Sequence, residues 1–203
     1  MNEKAQHWDR IYAIKGENEV SWFEENPELS LALIRSAGVD TSKSVIDIGG
    51  GASRLVEALG KAGQSRIAVL DLSEIALQRS RERVASGNIE WIVADVTTWA
   101  PARHYDVWHD RAAFHFLIEA EQQQAYVAAL RAALPAGGVA IIGTFAPNGP
   151  EKCSGLPVAR YSAERLKSVL GDDFALMGQL LHEHRTPWGA VQHFQFSTFR
   201  RSA

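Results

Sequence analysis

The sequence has little of what marks several large classes of protein. Cys153 is its single cysteine, so no internal disulfide can form, and a reducing, cytoplasmic location is expected. No apolar run approaches the roughly 20 residues that are needed to span a bilayer. The first residues, Met1 to Trp8, are polar and lack the apolar core of a signal peptide. We therefore expect a chain that neither crosses a membrane nor is secreted.

An excess of one charge is also lacking. The 21 basic and 24 acidic residues are interspersed and leave a formal net charge of -3 at pH 7. Because no general positive field attracts a polyanion, nucleic acid is not an expected partner. Hydrophobic residues at 46% and charged residues at 22% are typical of a globular protein, and 203 residues suffice for one domain.

Strand-like and helix-like patterns alternate along most of the chain, which predicts an α/β fold with a parallel sheet. Strands are expected at 44–48, 66–70, 89–94, 105–109 and 139–145. Two further strand-like stretches, 174–184 and 190–199, flank a turn that contains Pro187 and Gly189, so they should pair as an antiparallel hairpin.

A glycine-rich turn, Gly49-Gly50-Gly51, stands between the first strand and the next helix. Glycine lets a ligand approach the backbone, because no Cβ intrudes and the helix N-terminus offers free N–H groups. A purely structural turn would explain the same residues. The turn therefore predicts a ligand site only together with other evidence.

That evidence is a series of acids at the ends of successive strands: Asp47, Asp71 and Asp95, with Asp110 further on. Ligands of open α/β sheets bind outside the carboxyl ends of the strands, where these side chains should gather. Asp71, about 20 residues beyond the glycines, is placed to accept both hydroxyls of a ribose. The alternative is that Asp71 only caps the following helix.

The spacing of the turn separates the possible nucleoside ligands. A dinucleotide fingerprint needs a third glycine where this chain has Arg54, which disfavours NAD. Asp47 places a negative charge beside the turn, and this suits a cationic sulfonium with an ammonium group better than a pyrophosphate.

These residues resemble the class I, seven-β-strand S-adenosylmethionine-dependent methyltransferases, whose first motif is an acid followed by Gly-x-Gly, as in Val45 to Gly51 here. The resemblance implies a Rossmann-like, doubly wound, mostly parallel seven-stranded sheet with an antiparallel C-terminal strand, flanked by helices. It also implies S-adenosylmethionine as co-substrate. One domain, 1–203, would comprise N-terminal helices that form a lid (1–40), a cofactor-binding core (41–145), and an acceptor loop, helix and hairpin (146–203).

The resemblance further implies roles for single residues. The cofactor-binding positions are Asp47, Gly49, Gly50 and Gly51 at the methionine part, Asp71 and Leu72 at the ribose, Asp95 and Val96 at the adenine, and Trp22 in a lid. Ser53 replaces the third glycine of the family. Spermidine synthases share the fold and a triple-glycine turn, but Ala52 and Arg111 break their pattern.

A narrower resemblance connects the chain to small bacterial methyltransferases related to the eukaryotic seven-β-strand lysine methyltransferases. It rests on His7-Trp8-Asp9, on Val20 to Phe23 and on Asp110-Arg111. Those enzymes often carry Asp-Lys-Gly-Thr where this chain has Asp110 to Ala113. The acceptor therefore remains open between a small molecule and a protein lysine, and a non-catalytic S-adenosylmethionine-binding module is a third possibility.

Two residues are candidates for the chemistry itself. Asp110 would flank the methyl donor, and His115 is preferred to His109 as the general base if the nucleophile carries a proton. Because Phe114 and Phe116 flank His115, a buried structural histidine is the alternative. His182, His184 and His193 are expected on one face of the hairpin, but no metal site is predicted there.

Overall fold

The computed structural model describes residues 3–38, 40–84 and 88–202. Its helices are α1 (Glu3–Ile14), α2 (Glu28–Ser36), α3 (Leu55–Lys61), α4 (Glu74–Arg83), α5 (Ala120–Ala133) and α6 (Ala163–Leu170), with 3-10 turns at Glu17–Glu19 and Phe114–Phe116. Its strands are β1 (Ser44–Ile48), β2 (Arg66–Asp71), β3 (Ile89–Val93), β4 (Val107–Arg111), β5 (Val139–Phe145), β6 (Lys152–Cys153), β7 (Leu156–Pro157), β8 (Phe174–Arg185) and β9 (Val191–Arg201).

Seven of the strands form one sheet in the order β3-β2-β1-β4-β5-β9-β8. Strands β1 to β5 are parallel to one another, and β9 pairs antiparallel with both β5 and β8. The reversal of order at β1 and β4 leaves a crevice at the carboxyl ends of these strands. The predicted Rossmann-like seven-stranded sheet with an antiparallel C-terminal strand is therefore confirmed.

Apolar residues that alternate along the strands pack on the two faces of this sheet. Ile46 and Trp108 face the layer that contains α5 and α6. Val45 and Val107 face the opposite layer, to which α2, α3 and α4 contribute. Helices on both faces explain why β1 and β5 are buried along their whole length, since neither face meets water.

The predicted strand boundaries lie within two residues of the observed ones, and β4 is displaced by two residues at both of its ends. This strand begins at Val107 rather than Tyr105, because the Tyr105 N–H donates to the Ala133 carbonyl. The Asp106 carboxylate accepts from the Ser44 backbone and hydroxyl instead of joining the ladder. As a result, Asp110 lies inside β4 rather than beyond its end.

The loop after β5 contains an element that the sequence patterns did not predict, the small hairpin β6–β7. The sequence pattern from Ser73 predicts a helix that ends at Ala85, and Ala85 lies outside the described residues. Within the described parts of the chain, no helix combines the length and the apolar character of a membrane span.

Candidate functional site

A cavity of about 390 Å³ opens at the carboxyl edge of β1, β2 and β3. Its volume is in the range of small-molecule sites. The predicted binding residues that line it are Trp22, Gly49, Asp71, Leu72, Asp95 and Val96. A recess of about 50 Å³ adjoins it, shares Trp22 and Gly49 with it, and is lined by Asp47 and Gly50.

The glycine turn is packed directly against two of the acids. A Cβ on Gly50 would lie 2.5 Å from Asp47 Oδ2, and one on Gly51 would lie 2.7 Å from Asp71 Oδ2. Gly49 and Gly51 also have positive φ angles of 67° and 32°. The glycines are therefore required by the close approach of the carboxylates as well as by the turn.

Asp71 ends β2 and does not cap the next helix. Ser73 is the N-cap of α4, since its hydroxyl accepts from the Ala76 N–H. Asp71 accepts instead from the Ser73 N–H at 2.8 Å, and its side chain lines the cavity. Burial, followed by the nearby charges of Asp47 and Asp9, raises the pKa of Asp71 to about 7.

Asp95 follows β3 and orders the loop behind the cavity. Its Oδ1 accepts from the Thr97 N–H at 2.9 Å and from the Thr97 hydroxyl at 2.6 Å. Asp95 and the adjacent Val96 thereby present one polar and one apolar group to the same space.

The two residues predicted for catalysis lie elsewhere. Asp110 is fully buried and accepts from the Ala113 N–H at 2.9 Å, the Phe114 N–H at 3.0 Å and the Tyr126 hydroxyl at 2.7 Å. Burial raises its pKa to about 6. Neither Asp110 nor His115 lines the cavity or the recess.

His115 is packed in the core against Phe116 and Phe145. Its Nδ1 lies 3.4 Å from the Phe145 N–H, and its Nε2 has no partner among the described residues. Burial, and secondarily the charge of Arg111, lowers the pKa of His115 to about 3, so the ring is neutral near pH 7. This environment corresponds to the structural alternative rather than to a general base.

Aromatic side chains form the outer wall of the cavity, and of these only Trp22 was assigned to the site from the sequence. Trp8, Trp22 and Phe116 line the cavity, with ring centroids 5.7 Å apart for Trp8–Trp22 and 5.0 Å for Trp8–Phe116. Tyr12 lies one helical turn beyond Trp8 and also lines the cavity. The spacing of Trp8 and Tyr12, four residues apart on α1, was the sequence signal for this wall, because it predicts an apolar helix face that packs against the rest of the protein.

The N-terminal helix is fastened beside the cofactor edge by polar contacts. The Ser73 hydroxyl donates to Asp9 at 2.7 Å, and Arg79 donates to the Lys15 carbonyl at 2.7 Å. These contacts hold α1 in the position at which Trp8 lines the cavity. This placement is compatible with the expected lid in 1–40.

Arg111 is a residue that sequence reasoning left without a role. Its guanidinium donates to the Trp22 carbonyl at 2.9 Å, lies 3.0 Å from Glu24, and stacks 5.3 Å from the Phe194 ring centre. His184 adds a hydrogen bond of 2.7 Å to the Ser21 carbonyl. The segment that bears Trp22 is therefore tied to the sheet by buried polar groups.

The chain turns sharply after Arg111. Ala112 has a φ of 70°, which is unusual for a residue other than glycine, and its N–H donates to the Gly143 carbonyl at 2.8 Å. Ala112 and Ala113 both line the cavity. The turn therefore places the chain that follows β4 against the cavity.

The hairpin histidines are not all on one face. His193 is the register partner of Glu183, whereas His182 pairs with Phe194 and His184 with Gln192. His193 thus lies on the face of Glu183, opposite to His182 and His184. Across the residues that the structure describes, no group of three or more His, Cys, Asp or Glu side chains is arranged to hold a metal ion.

The sheet order and the ligand space at its carboxyl edge define the class I methyltransferase fold. Solved structures share this fold at low sequence identity. The N-methyltransferase NodS from Bradyrhizobium japonicum WM9, in complex with S-adenosylhomocysteine, superposes with a TM-score of 0.75 at 17% identity over 100% of both chains. An S-adenosylmethionine-dependent methyltransferase from Anabaena variabilis gives a TM-score of 0.76 at 16% identity over 99% of this chain and 96% of that one.

A third similar structure is the 1,6-didemethyltoxoflavin-N1-methyltransferase from Burkholderia thailandensis, with 1,6-didemethyltoxoflavin and S-adenosylhomocysteine bound. Its TM-score is 0.68 at 16% identity, over 99% of this chain and 85% of that one. No curated protein matches the chain by sequence. Residues 45–138 match the family model described as methyltransferase domain. Residues 45–138 therefore form a methyltransferase domain, and the chain as a whole has the fold of the class I S-adenosylmethionine-dependent methyltransferases.

Proposed function

We propose that the chain is an S-adenosylmethionine-dependent methyltransferase and that it acts on a small molecule, which it holds between the aromatic wall and the cofactor. The observation that carries the proposal is that one cavity is lined on one side by strand-end residues such as Asp71 and Asp95, and on the other by Trp8, Trp22 and Phe116. In this arrangement Asp71 and Leu72 bind the ribose, and Asp95 and Val96 bind the adenine. Asp47 and the glycine turn Gly49–Gly51 receive the methionine part.

Methyl transfer is a direct displacement at a carbon that the positive sulfur already activates. The protein has to align the nucleophile, the methyl group and the leaving sulfur, and to exclude water. The aromatic wall serves both needs, because flat rings orient a planar acceptor and leave little room for solvent. The nucleophile gains the methyl group, and S-adenosylhomocysteine leaves with the electron pair of the broken carbon–sulfur bond.

The proposal does not require Asp110, His115 or Cys153 to act as a general base. Asp110 and His115 do not reach the cavity, and burial raises the pKa of the Cys153 thiol, which lines the cavity, to about 11. We therefore expect an acceptor whose attacking atom already has a free lone pair near pH 7, such as a heteroaromatic nitrogen or an acidic thiol. The 1,6-didemethyltoxoflavin bound in the Burkholderia structure supports the view that this fold accommodates a small acceptor.

The test begins with calorimetric titration of S-adenosylhomocysteine into the purified protein, for which we expect saturable binding. Turnover is then followed as S-adenosylhomocysteine release with heteroaromatic amines and aromatic thiols, and with a lysine-containing peptide mixture. Activity on the small molecules alone supports the proposal. Activity on the peptides alone assigns a protein lysine as acceptor, and binding without any turnover supports a non-catalytic module.

A pair of tryptophan variants separates the acceptor wall from general stability. Trp22→Ala should lower kcat/KM for the acceptor by about tenfold or more, since it removes an aromatic side chain from the wall. Trp188→Ala is the matched control, because Trp188 is 60% exposed on the hairpin turn and does not line the cavity. Equal kcat/KM values for the two variants would contradict the proposed wall.

A further inference from the structure

Three polar side chains form a buried hydrogen-bonded chain behind the glycine turn. Asp47 Oδ1 lies 2.7 Å from His109 Nδ1, and His109 Nε2 lies 2.9 Å from the Ser30 hydroxyl. The three residues are 3%, 2% and 1% exposed. They come from β1, β4 and α2, so the chain connects three separate elements. The sequence patterns pointed to Asp47 as a cofactor residue but gave no role to Ser30.

The hydrogen-bonding capacity of each group fixes the direction of the chain. A carboxylate only accepts, so His109 Nδ1 carries the proton that it donates to Asp47. In the neutral ring Nε2 is then an acceptor, and the Ser30 hydroxyl donates to it. Asp47 thereby selects the tautomer of His109, and Ser30 supplies the hydrogen-bond partner of Nε2 in that tautomer. The parallel register, which pairs Asp47 with His109 across β1 and β4, holds the two side chains together.

The two oxygens of Asp47 have different surroundings. Oδ1 is taken by His109, whereas Oδ2 lies against the glycine turn, where a Cβ on Gly50 would be only 2.5 Å away. All three members of the chain line the small recess that adjoins the cofactor cavity. The carboxylate is therefore held from behind, with its other oxygen beside the space proposed for the methionine part.

We infer that His109 is a positioning residue that orients Asp47 towards the ammonium group of the cofactor, and that Ser30 holds the His109 ring in place through Nε2. This inference rests on the proposed placement of the methionine part at Asp47. Without the His109 donor, the buried carboxylate would lose the partner of its Oδ1 and would no longer be held in this orientation. The ammonium would then meet a displaced acceptor.

Two ligands make the inference testable apart from folding. S-adenosylhomocysteine contains the amino acid part, whereas 5′-methylthioadenosine contains only the nucleoside and the sulfur. In His109→Gln the side-chain amide extends to the position of Nε2 but supplies no donor at Nδ1. We expect its Kd for S-adenosylhomocysteine to rise about tenfold or more, while its Kd for 5′-methylthioadenosine changes less than about twofold.

His109→Asn is the matched control, because its amide nitrogen takes the place of Nδ1 and still donates to Asp47. Since the donor is kept, we expect its Kd for S-adenosylhomocysteine to stay within about threefold of the parent value. The Kd of Ser30→Ala for S-adenosylhomocysteine should lie between the Kd values of His109→Gln and His109→Asn. Thermal melting of each variant without ligand establishes the folded fraction.

The outcomes separate this inference from the proposed function. If the parent protein binds neither ligand, the proposed cofactor placement fails. If it binds both, and His109→Gln weakens both by the same factor, His109 has a general structural role and the positioning inference is overturned. Equal affinities of the parent, Gln and Asn forms for S-adenosylhomocysteine would overturn it as well.

Discussion

Two groups of aspartates at the carboxyl edge of one sheet have opposite surroundings. Asp71 and Asp95 line the cavity, and each accepts a hydrogen bond from the loop that follows it. Asp110 has the same side chain and belongs to the same sheet, yet backbone N–H groups and Tyr126 occupy its carboxylate. Residue type and strand position alone therefore do not identify a ligand-binding acid.

The difference arises from the turn that comes after each strand. After β2 the chain enters α4, whose cap is Ser73, so Asp71 is left available. After β4 the chain reverses at Ala112, and the N–H groups of Ala113 and Phe114 point back at Asp110. Tyr126 on α5 completes the enclosure. A strand-end carboxylate has a structural role where the N–H groups of the following turn donate hydrogen bonds to it, as they do at Asp110.

Removing the enclosed acid should have the largest effect on stability. Asp110→Ala leaves two N–H groups and the Tyr126 hydroxyl without their acceptor in the core. We expect the free energy of unfolding to fall by about 3–5 kcal/mol. Urea denaturation measures this change. A loss below about 1 kcal/mol would contradict the structural role.

Removing a cavity-facing acid should instead affect affinity. Asp71→Asn exchanges a charged acceptor of the ribose hydroxyls for a neutral amide, so we expect the Kd for S-adenosylhomocysteine to rise about 10–100-fold. Calorimetry provides the Kd, with Asp172→Asn as the control because Asp172 is exposed and does not line the cavity. An unchanged Kd would remove Asp71 from the proposed site.

The raised pKa of Asp71 gives this affinity a pH dependence. The carboxylate accepts from ribose hydroxyls when ionised, and its pKa in the unliganded protein is about 7. We expect the affinity for S-adenosylhomocysteine to increase about tenfold from pH 6 to pH 8. Asp71→Asn should flatten the profile, and a parent profile that is already flat would argue against a ribose contact.

The same group has the opposite effect on the stability of the unliganded protein. The folded protein keeps the Asp71 proton up to about pH 7, whereas the unfolded chain releases it near 3.8. Between these values the folded state binds more protons, so this contribution to stability is lost as the pH rises. Melting temperatures of the parent and of Asp71→Asn across this window measure the difference.

The smallest catalytic effect is expected at His115. Because the ring is buried, neutral and outside the cavity, His115→Phe should leave kcat within about threefold of the parent value once the folded fraction is matched. The pKa of His115 is about 3 in the folded state and 6.5 in the unfolded chain, so its contribution to stability is lost as the pH falls through this window. A loss of turnover greater than about a hundredfold in a folded variant would restore it as a catalytic candidate.

Local pattern predicted much of the fold and the cofactor side of the site. Alternating strands and helices defined the sheet, and the spacing from the glycine turn to Asp71 placed both at one edge, where the structure has them. These features depend on short segments whose backbone conformation is determined by their own local sequence. The proposed cofactor class follows from the same residues.

The remainder depends on contacts between distant segments. Ser30 and His109 are 79 residues apart and meet only because α2 packs on β4. Arg111 reaches Trp22 across 89 residues, and the direction of Asp110 depends on the backbone of the next turn. No periodicity in the sequence reports such contacts, so the buried chain, and the meeting of Trp8, Trp22 and Phe116 in one wall, became visible only in three dimensions.

Ala112 shows how this protein exchanges stability for shape. A left-handed backbone costs a residue with a Cβ about 1–2 kcal/mol, and glycine would occupy the same turn without that cost. The methyl group that is kept despite this cost forms part of the cavity surface. The Ala112 methyl group thus helps to shape the cavity, and glycine at this position would remove the backbone strain but widen the cavity.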